Sequence, residues 1–439
     1  MIRPRYLLIL LLLFPACGSP VATDPGPDDA QLDAELTDLL TLGGQRRLAT
    51  FQQPESDDLG AIPQDPANPL TPAKVALGKL LFHEPALSAA ALRVEHRGTF
   101  SCATCHHAAA GFEAGAARSI GEGGSGWGTR GEARRPGASA VPGVLDSPPL
   151  KSQSIMNKAW QRVMMYSGAA GSDGPNAGTD SQWGSHVDAG ANPLGYQGIE
   201  SQAIGALTKH RLFEPVAAHD LIQDHPTYAT LWREVWGDAP VTAERMGLAI
   251  AAFERTVMAN RSPFQRWLRG ASEAMTRTEK RGALVFFGRE ALCADCHTGP
   301  ALASMAFYAL GMPDMPDDVP DRGRGGFTGR PSEEYTYKVP QLYNLTDASF
   351  MGHGSSFRSM REVVDYYAAG VPDVHLPPGR VTNQFHPLTL TRGQIDDLVA
   401  FLEGALRDPD LGRYQPPSVP SGGCIPANDP AARTDLGCN

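Results

Sequence analysis

Ser101-Cys102-Ala103-Thr104-Cys105-His106, and much later Leu292-Cys293-Ala294-Asp295-Cys296-His297, are the stretches on which the reading of this chain turns. Each sets two thiols three positions apart with an imidazole directly behind them. Thiols so spaced reach the two vinyl groups of a haem, and the histidine that follows reaches the iron as axial ligand. A zinc site built from the four thiols would leave His106 and His297 without a role. Two such motifs behind an export signal point to two covalently bound haem c groups.

Around the motifs the signals are helical. Ala73–Leu81 is expected to be a helix, with the first ordered unit beginning near Thr71. Ile204, Leu207 and Arg211 fall in another, and Ala243–Ala259 reads as strongly helical. Thr276 and Glu279 spell a capping box ahead of Leu284-Val285-Phe286-Phe287, and Gly288 should stop that helix just before the second motif. Thr391 and Gln394 cap a last helix, with Ile395, Leu398, Val399, Leu402 and Leu406 on one face. No convincing strand alternation is present, so the expected class is mostly α. The 47 glycines and 37 prolines predict long irregular loops between the helices. Residues 107–200 hold most of these, as in Gly121–Gly128 and Gly168–Gly178; their composition suits disorder, their position suits ordered loops wrapped around a haem. A weak internal echo links Leu77-Gly78-Lys79-Leu80-Leu81-Phe82, ahead of the first motif, to Gly282-Ala283-Leu284-Val285-Phe286-Phe287, ahead of the second. Two halves of similar plan would explain it.

The ends carry other information. Arg3 and Arg5 precede an apolar run, Leu7 to Phe14, too short to span a bilayer. Pro15-Ala16-Cys17-Gly18 then resembles a lipoprotein cleavage site, although the usual leucine sits one place early at Leu13. Residues 1–16 are read as a signal peptide and Cys17 as a lipid anchor, giving a periplasmic, membrane-anchored lipoprotein; plain secretion after Ala16 is the alternative. Residues 17–70, rich in Pro, Asp and Gln, are expected to be a flexible tether with at most a short helix near Ala34–Leu40. The charge is 38 − 48 = −10, and 36 − 48 = −12 once residues 1–16 are gone. That balance does not fit a nucleic-acid or anionic-membrane binder, and leaves room for a basic electron donor. Of seven cysteines, Cys424 and Cys438 are left over in the tail, 413–439. Outside the cytoplasm the pair is expected to oxidise, contributing about 3 kcal/mol in the chain-entropy model.

From Leu77 onward, over roughly residues 71–410, the chain resembles the bacterial dihaem cytochrome c peroxidases and the related MauG group. The resemblance rests on the motifs already quoted, on Ala252-Phe253-Glu254-Arg255-Thr256, and on Gly299-Pro300. It continues through Tyr337-Lys338-Val339-Pro340-Gln341-Leu342-Tyr343-Asn344 and Gly352-His353-Gly354. It implies two cytochrome c-like haem domains facing a shared interface. Residues 71–270 would carry the peroxide haem and residues 271–412 the electron-transfer haem. His106 and His297 become the proximal ligands. A histidine that caps the peroxide haem in many peroxidases follows a Ser-Ile-Gly run; here Ser119-Ile120-Gly121 leads to Glu122, which implies a haem open at rest. The family's pocket glutamine maps to Gln202. Its glutamate maps to Glu214, with spacing two residues longer than usual and Glu122 next in line. Such a carboxylate can take a proton from the near peroxide oxygen and return it to the departing one.

For the second axial positions of the haems, the sequence alone offers His107, Met351, His353, Met360 and Tyr367 among others. For the electron-transfer haem the resemblance selects Tyr367, at the place of a methionine in the peroxidases and a tyrosine in MauG, with Met360 as second choice. An anionic oxygen ligand would lower that haem's potential. Two departures stand out. The family's tryptophan between the haems is matched by Tyr166, in Met165-Tyr166-Ser167-Gly168. The asparagine of its inter-domain calcium site aligns with Lys151, so calcium is admitted rather than required.

Three functions follow from this reading. One is reduction of hydrogen peroxide with electrons from a small cytochrome c or cupredoxin. Another is MauG-like, peroxide-driven oxidation of an aromatic residue in a partner protein substrate. The third is plain, non-enzymatic electron transfer.

Overall fold

The computed structural model describes residues 28–41, 48–316, 319–374 and 376–438. The signal peptide and the lipid anchor at Cys17 lie outside the described residues. In chain order the longer helices are α1 (Asp29–Thr41), α2 (Pro72–His83), α3 (Gly198–Lys209), α4 (Pro215–Asp224) and α5 (Pro226–Trp236). They continue with α6 (Ala243–Thr256), α7 (Arg277–Phe287), α8 (Met360–Ala369), α9 (Arg392–Ala400) and α10 (Pro430–Leu436). Among the described residues strand is confined to two small antiparallel pairs, Gly124–Ser125 with Arg135–Pro136 and Phe307–Tyr308 with Tyr337–Lys338. Among the described residues no helix is long and apolar enough to cross a membrane.

The expected start and stop signals act where they were read. Thr71 accepts a hydrogen bond from the Lys74 amide at 3.2 Å, and Pro72 opens α2. Thr276 and Glu279 cap α7 reciprocally, as Thr391 and Gln394 cap α9. Two helices end earlier than their periodicity suggested. α6 stops at Thr256 because the chain beyond it bonds elsewhere: Val257 O takes the Asn157 amide, and the Ala259 amide goes to Asn157 Oδ1. α3 stops at Lys209, and Arg211 turns away with φ +56°.

The internal echo has a physical basis. A Cβ added at Gly78 of α2 would lie 1.8 Å from Ala249 O of α6; one added at Gly282 of α7 would lie 1.9 Å from Asp397 O of α9. In each half the helix ahead of the haem motif crosses a later helix backbone to backbone, and only glycine allows the approach. Phe82, Phe253, Phe286, Phe287 and Phe401 belong to one continuous core behind these crossings.

The tether expectation for 17–70 needs correction over its described part. Leu32, Leu36 and Leu40, spaced by four, are 1%, 0% and 2% exposed, and make α1 longer than Ala34–Leu40 by burying a full stripe against α7. Asp33 pairs with Lys280 at 2.8 Å and accepts from the Trp267 indole at 2.7 Å. Residues 51–70 are pinned by backbone bonds, Gln53 N to Gln265 Oε1 and Arg269 to Gln53 O among them. Proline-rich composition signalled missing helix, not missing contacts. The Gly-rich 107–200 stretch is likewise ordered: the Asn176 amide bonds Gly168 O and Gly171 O, and Asn192 bonds Gly171 N and Ala169 O.

The end of the chain is no loose tail either. Cys424 and Cys438 are disulfide-bonded as expected. The closed segment lies against the first motif: Thr104 Oγ1 donates to Pro426 O at 2.6 Å, and the Asn428 amide to Thr99 O at 2.9 Å.

Candidate functional site

Both attachment turns follow one plan. Cys102–Cys105 and Cys293–Cys296 are single helical turns whose thiols face a cavity. In each, the histidine amide closes the turn onto the first cysteine carbonyl, at 3.0 Å for His106 and 2.9 Å for His297. Each ring is then steered through Nδ1, by Phe112 O at 3.4 Å and by Leu302 O at 3.0 Å. Phe112 and Leu302 both adopt positive φ, +57° and +44°, which turns those carbonyls back toward the imidazoles. A histidine held through Nδ1 leaves Nε2 for the metal, the usual second-shell arrangement. Burial drives both imidazoles from 6.5 down to about 4, so they are neutral and able to ligate.

Two cavities open at these turns. The N-terminal one is the roomier, about 660 Å³ against 260 Å³, and holds Cys102, Cys105 and His106 on its wall; the other holds Cys293, Cys296 and His297. Lys151, Gln153, Ser154, Lys158 and Tyr166 line both, so the cavities share a wall. Buried lysines stand on and beside that wall, Lys158 lining both cavities and Lys338 the C-terminal one. Lys338 is 1% exposed, and burial holds its ammonium well below the ordinary lysine range. Lys158, also 1% exposed, is pushed down to about 8. The side-chain amide nitrogen of Gln153 on that wall, and that of Gln161, whose Oε1 accepts from Lys158 and Lys338, are buried without a hydrogen-bond partner among the described residues. Buried cations and orphaned N–H donors call for an anion. The propionates of haem supply one, so these residues fit the cofactor that the cysteines imply. Lys158 and Lys338 would hold propionates, the four thiols the vinyl carbons, and His106 and His297 the irons. Bound haem supplies one-electron redox chemistry and peroxide activation.

Of the expected pocket residues, Gln202 on α3 lines the N-terminal cavity. Glu122 and Glu214 are not among its lining residues. Glu122 is fully buried: Oε1 takes the Arg93 amide at 3.0 Å and faces His96 at 3.2 Å, and Oε2 takes Arg211 at 2.7 Å. Burial alone would raise this carboxyl, but those bonds hold it below the usual range. Glu214 caps α4, accepting from the Ala217 amide at 2.7 Å. The added spacing noted in the sequence thus ends in a helix cap.

Other polar groups do reach this cavity. His210, which ends α3, bonds Asp146 through Nδ1 at 2.9 Å, and both line the wall with Gln202. Glu254 on α6 lines it too, with Oε2 unpartnered; burial, reinforced by Glu200, pushes its carboxyl up to about 8. No spacing rule pointed to Asp146 or His210. Glu254 stood inside the quoted Phe253-Glu254-Arg255 run without a role.

Tyr367 lines the C-terminal cavity. Burial raises its hydroxyl well above the ordinary tyrosine value of 10. Met351, His353 and Met360 share that cavity, whereas His107 does not. His107 donates to Arg130 O through Nε2 and packs its ring on Trp127. Tyr337 stacks on His353 with centroids 4.1 Å apart, and Tyr166 sits edge-on to both. Lys151 forms a buried ion pair with Glu113 and donates its backbone amide to His353 O at 2.9 Å. Among the described residues no cluster of three or more His, Cys, Asp or Glu could hold a metal ion.

The family model for di-haem cytochrome c peroxidase matches residues 72–273. The methylamine utilization protein MauG of Methylorubrum extorquens is 30% identical over 402 residues, covering 90% of this chain and 93% of that protein. The cytochrome-c peroxidase IdrP1 of Denitromonas iodatirespirans is 28% identical over 398 residues, covering 82% and 91%. Among solved structures, a MauG-like protein associated with microbial copper homeostasis superposes with a TM-score of 0.58. It shares 22% identity and covers 80% of this chain and 93% of its own, a likeness of fold. The chain belongs to the dihaem cytochrome c peroxidase and MauG family, mostly α proteins with two c-type haems that act as oxidoreductases on peroxide.

Proposed function

We propose that this chain reduces hydrogen peroxide at the N-terminal haem. Electrons would reach it through the C-terminal haem from a small cytochrome c or cupredoxin outside the cytoplasm. The observation that carries this is the asymmetry of two cavities with a common wall. The N-terminal one presents Gln202, His210 and Asp146, groups able to orient and deprotonate a small polar molecule. The C-terminal one is lined mainly by apolar side chains, among them Phe286, Leu398 and Leu402, which suit electron transfer. Here this chain's own residues bind and orient peroxide, and Lys151, Lys158 and Tyr166 close the passage between the sites.

A second reading, peroxide-driven oxidation of a partner protein's aromatic residue, is favoured by Tyr367 in the C-terminal cavity and Tyr166 in the shared wall. The test is rapid mixing of the oxidised, haem-loaded protein with peroxide, then with reduced cytochrome c. Oxidation of two donors per peroxide supports the first reading. A long-lived oxidised species that ignores the donor supports the second. No spectral change with peroxide overturns both.

A further inference from the structure

The carboxylates expected to move protons in the N-terminal cavity are committed elsewhere, Glu122 to Arg211 and two other partners, Glu214 to a helix cap. What the fold brings to that wall instead is an imidazole–carboxylate pair. We propose that His210 is the proton-transfer residue of this cavity and that Asp146 positions it. The proposal rests on the peroxide reading above and deepens it.

Both members are placed by backbone. His210 ends α3, whose Gln202, Ala206 and Lys209 line the same wall. Asp146 is set by paired bonds to the Gly121–Glu122 strip, Gly121 N to Asp146 O at 2.9 Å and Asp146 N to Glu122 O at 3.0 Å. Gly121 is needed for this: a Cβ there would lie 2.6 Å from Asp146 Oδ2. The pair also stands near the attachment turn. Cys105 and His106 line the same cavity wall.

Asp146 accepts through both carboxylate oxygens from Nδ1 of His210, at 2.9 and 3.1 Å, which orients the ring and leaves Nε2 as the nitrogen able to exchange a proton. Glu254, another carboxylate on the wall, is 4% exposed. The His210 and Asp146 side chains keep 30% and 15%, so the dyad connects the cavity to water as Glu254 does not.

The step balances as follows. Nε2 takes the proton of the near peroxide oxygen and delivers it to the far oxygen. The O–O bond breaks, and the far oxygen leaves as water with the bonding electron pair. The retained oxygen becomes a second water on receiving two electrons and two protons. The protons enter from solvent through the dyad, and the electrons come from a one-electron donor protein. The sum is H₂O₂ + 2 e⁻ + 2 H⁺ → 2 H₂O.

The test uses the full-length, haem-loaded protein. His210→Gln should lower the second-order rate constant for peroxide by roughly 10²–10⁴, with both haems attached and the oxidised EPR spectrum unchanged. Asp146→Asn should also slow the reaction, yet add little on top of His210→Gln, because a positioning residue acts only through its partner. A purely structural role would give additive losses. His210→Asn replaces the Gln variant should that one lose haem. A wild-type rate in His210→Gln overturns the proposal, as does a change from low-spin to high-spin iron, which would make His210 a ligand. A larger loss in Glu214→Gln also overturns it. A wild type inert to peroxide fails the peroxide reading itself, and this proposal with it; a reactive wild type with an unaffected His210 variant fails this proposal alone.

Discussion

Replacing Asp429 by alanine removes one buried carboxylate with three partners. Oδ2 pairs with Arg134 at 2.9 Å, and Oδ1 takes the amides of Gly126 and Ala432, each at 3.0 Å. The ion pair is buried, with side-chain exposures of 3% and 7%. Breaking one side of such a pair costs about 3–5 kcal/mol, because a cation is left uncompensated. The Ala432 contact is the N-cap of α10, a further term of about 1 kcal/mol. One carboxylate makes all three contacts, so the terms do not simply add, and a loss of about 4 kcal/mol is expected. At about 2–4 °C per kcal/mol for a unit of this size, the melting temperature should fall by about 10 °C. Scanning calorimetry of the haem-loaded protein measures it, with Asp429→Asn as the milder companion. The remaining Arg134 donors hold Ile120 O at 2.6 Å and Gly121 O at 3.0 Å, and Gly121 borders Asp146. The alanine variant should therefore also react more slowly with peroxide. A fall of less than about 3 °C would refute the reasoning, by showing that Arg134 finds water or another anion at no great cost.

Tyr367→Phe removes an oxygen from the C-terminal cavity with little change of volume; spectroelectrochemistry should show the potential of the His297 haem raised, and an unchanged potential would end the case for ligation by Tyr367. Gly78→Ala and Gly282→Ala each force a Cβ into a facing carbonyl and should lower the urea midpoint, since overpacking of about 1–3 kcal/mol outweighs a helix gain of about 1 kcal/mol. Gly205→Ala, on α3 with nothing within 4 Å of the added carbon, should be neutral or stabilising by the same assay. His83 is 2% exposed, and burial lowers its imidazole from 6.5 to about 4. The folded state therefore resists protonating it: that stability is complete above pH 6.5 and is lost as pH falls through 4, up to about 3 kcal/mol. His83→Gln should flatten the decline in melting temperature between pH 6.5 and 4, and parallel declines in both proteins would count against it.

The parts of this chain that were legible from sequence are those where one residue type has one physical use. Paired thiols before a histidine, a threonine three places before a glutamate and a glycine closing a helix each name a local geometry, and both motifs and both capping boxes stand where they were read. Composition misled where it was asked about contacts. Residues 51–70 lack periodic apolar stripes, yet Gln53 and Asn260 tie them down by hydrogen bonds to distant chain. Bonds between residues hundreds of positions apart leave no mark in any short window. Glu214 shows the same limit from the other side. A motif position was carried across two extra residues, and the insertion delivered the carboxylate to the amide of Ala217 instead of to the cavity wall.

The two halves separate what repeats from what differs. The glycine crossings at Gly78 and Gly282, the single-turn attachments, and the positive-φ carbonyls of Phe112 and Leu302 all repeat, and all serve to seat a haem through a neutral, oriented histidine. Once seating is common to both halves, it cannot decide what each haem does. On the reading proposed above, that choice falls to residues the halves do not share. His210 and Asp146 lie beyond the end of α3 and on the loop opposite Gly121, whereas Tyr367 and Met360 lie on α8. Each set comes from the connection following its own attachment turn, the part of the chain with the fewest helical constraints on its course. Divergent chemistry on a duplicated frame is therefore placed where the frame is least repeated, and changing the function of one half should require substitutions in those connections and none in the crossings.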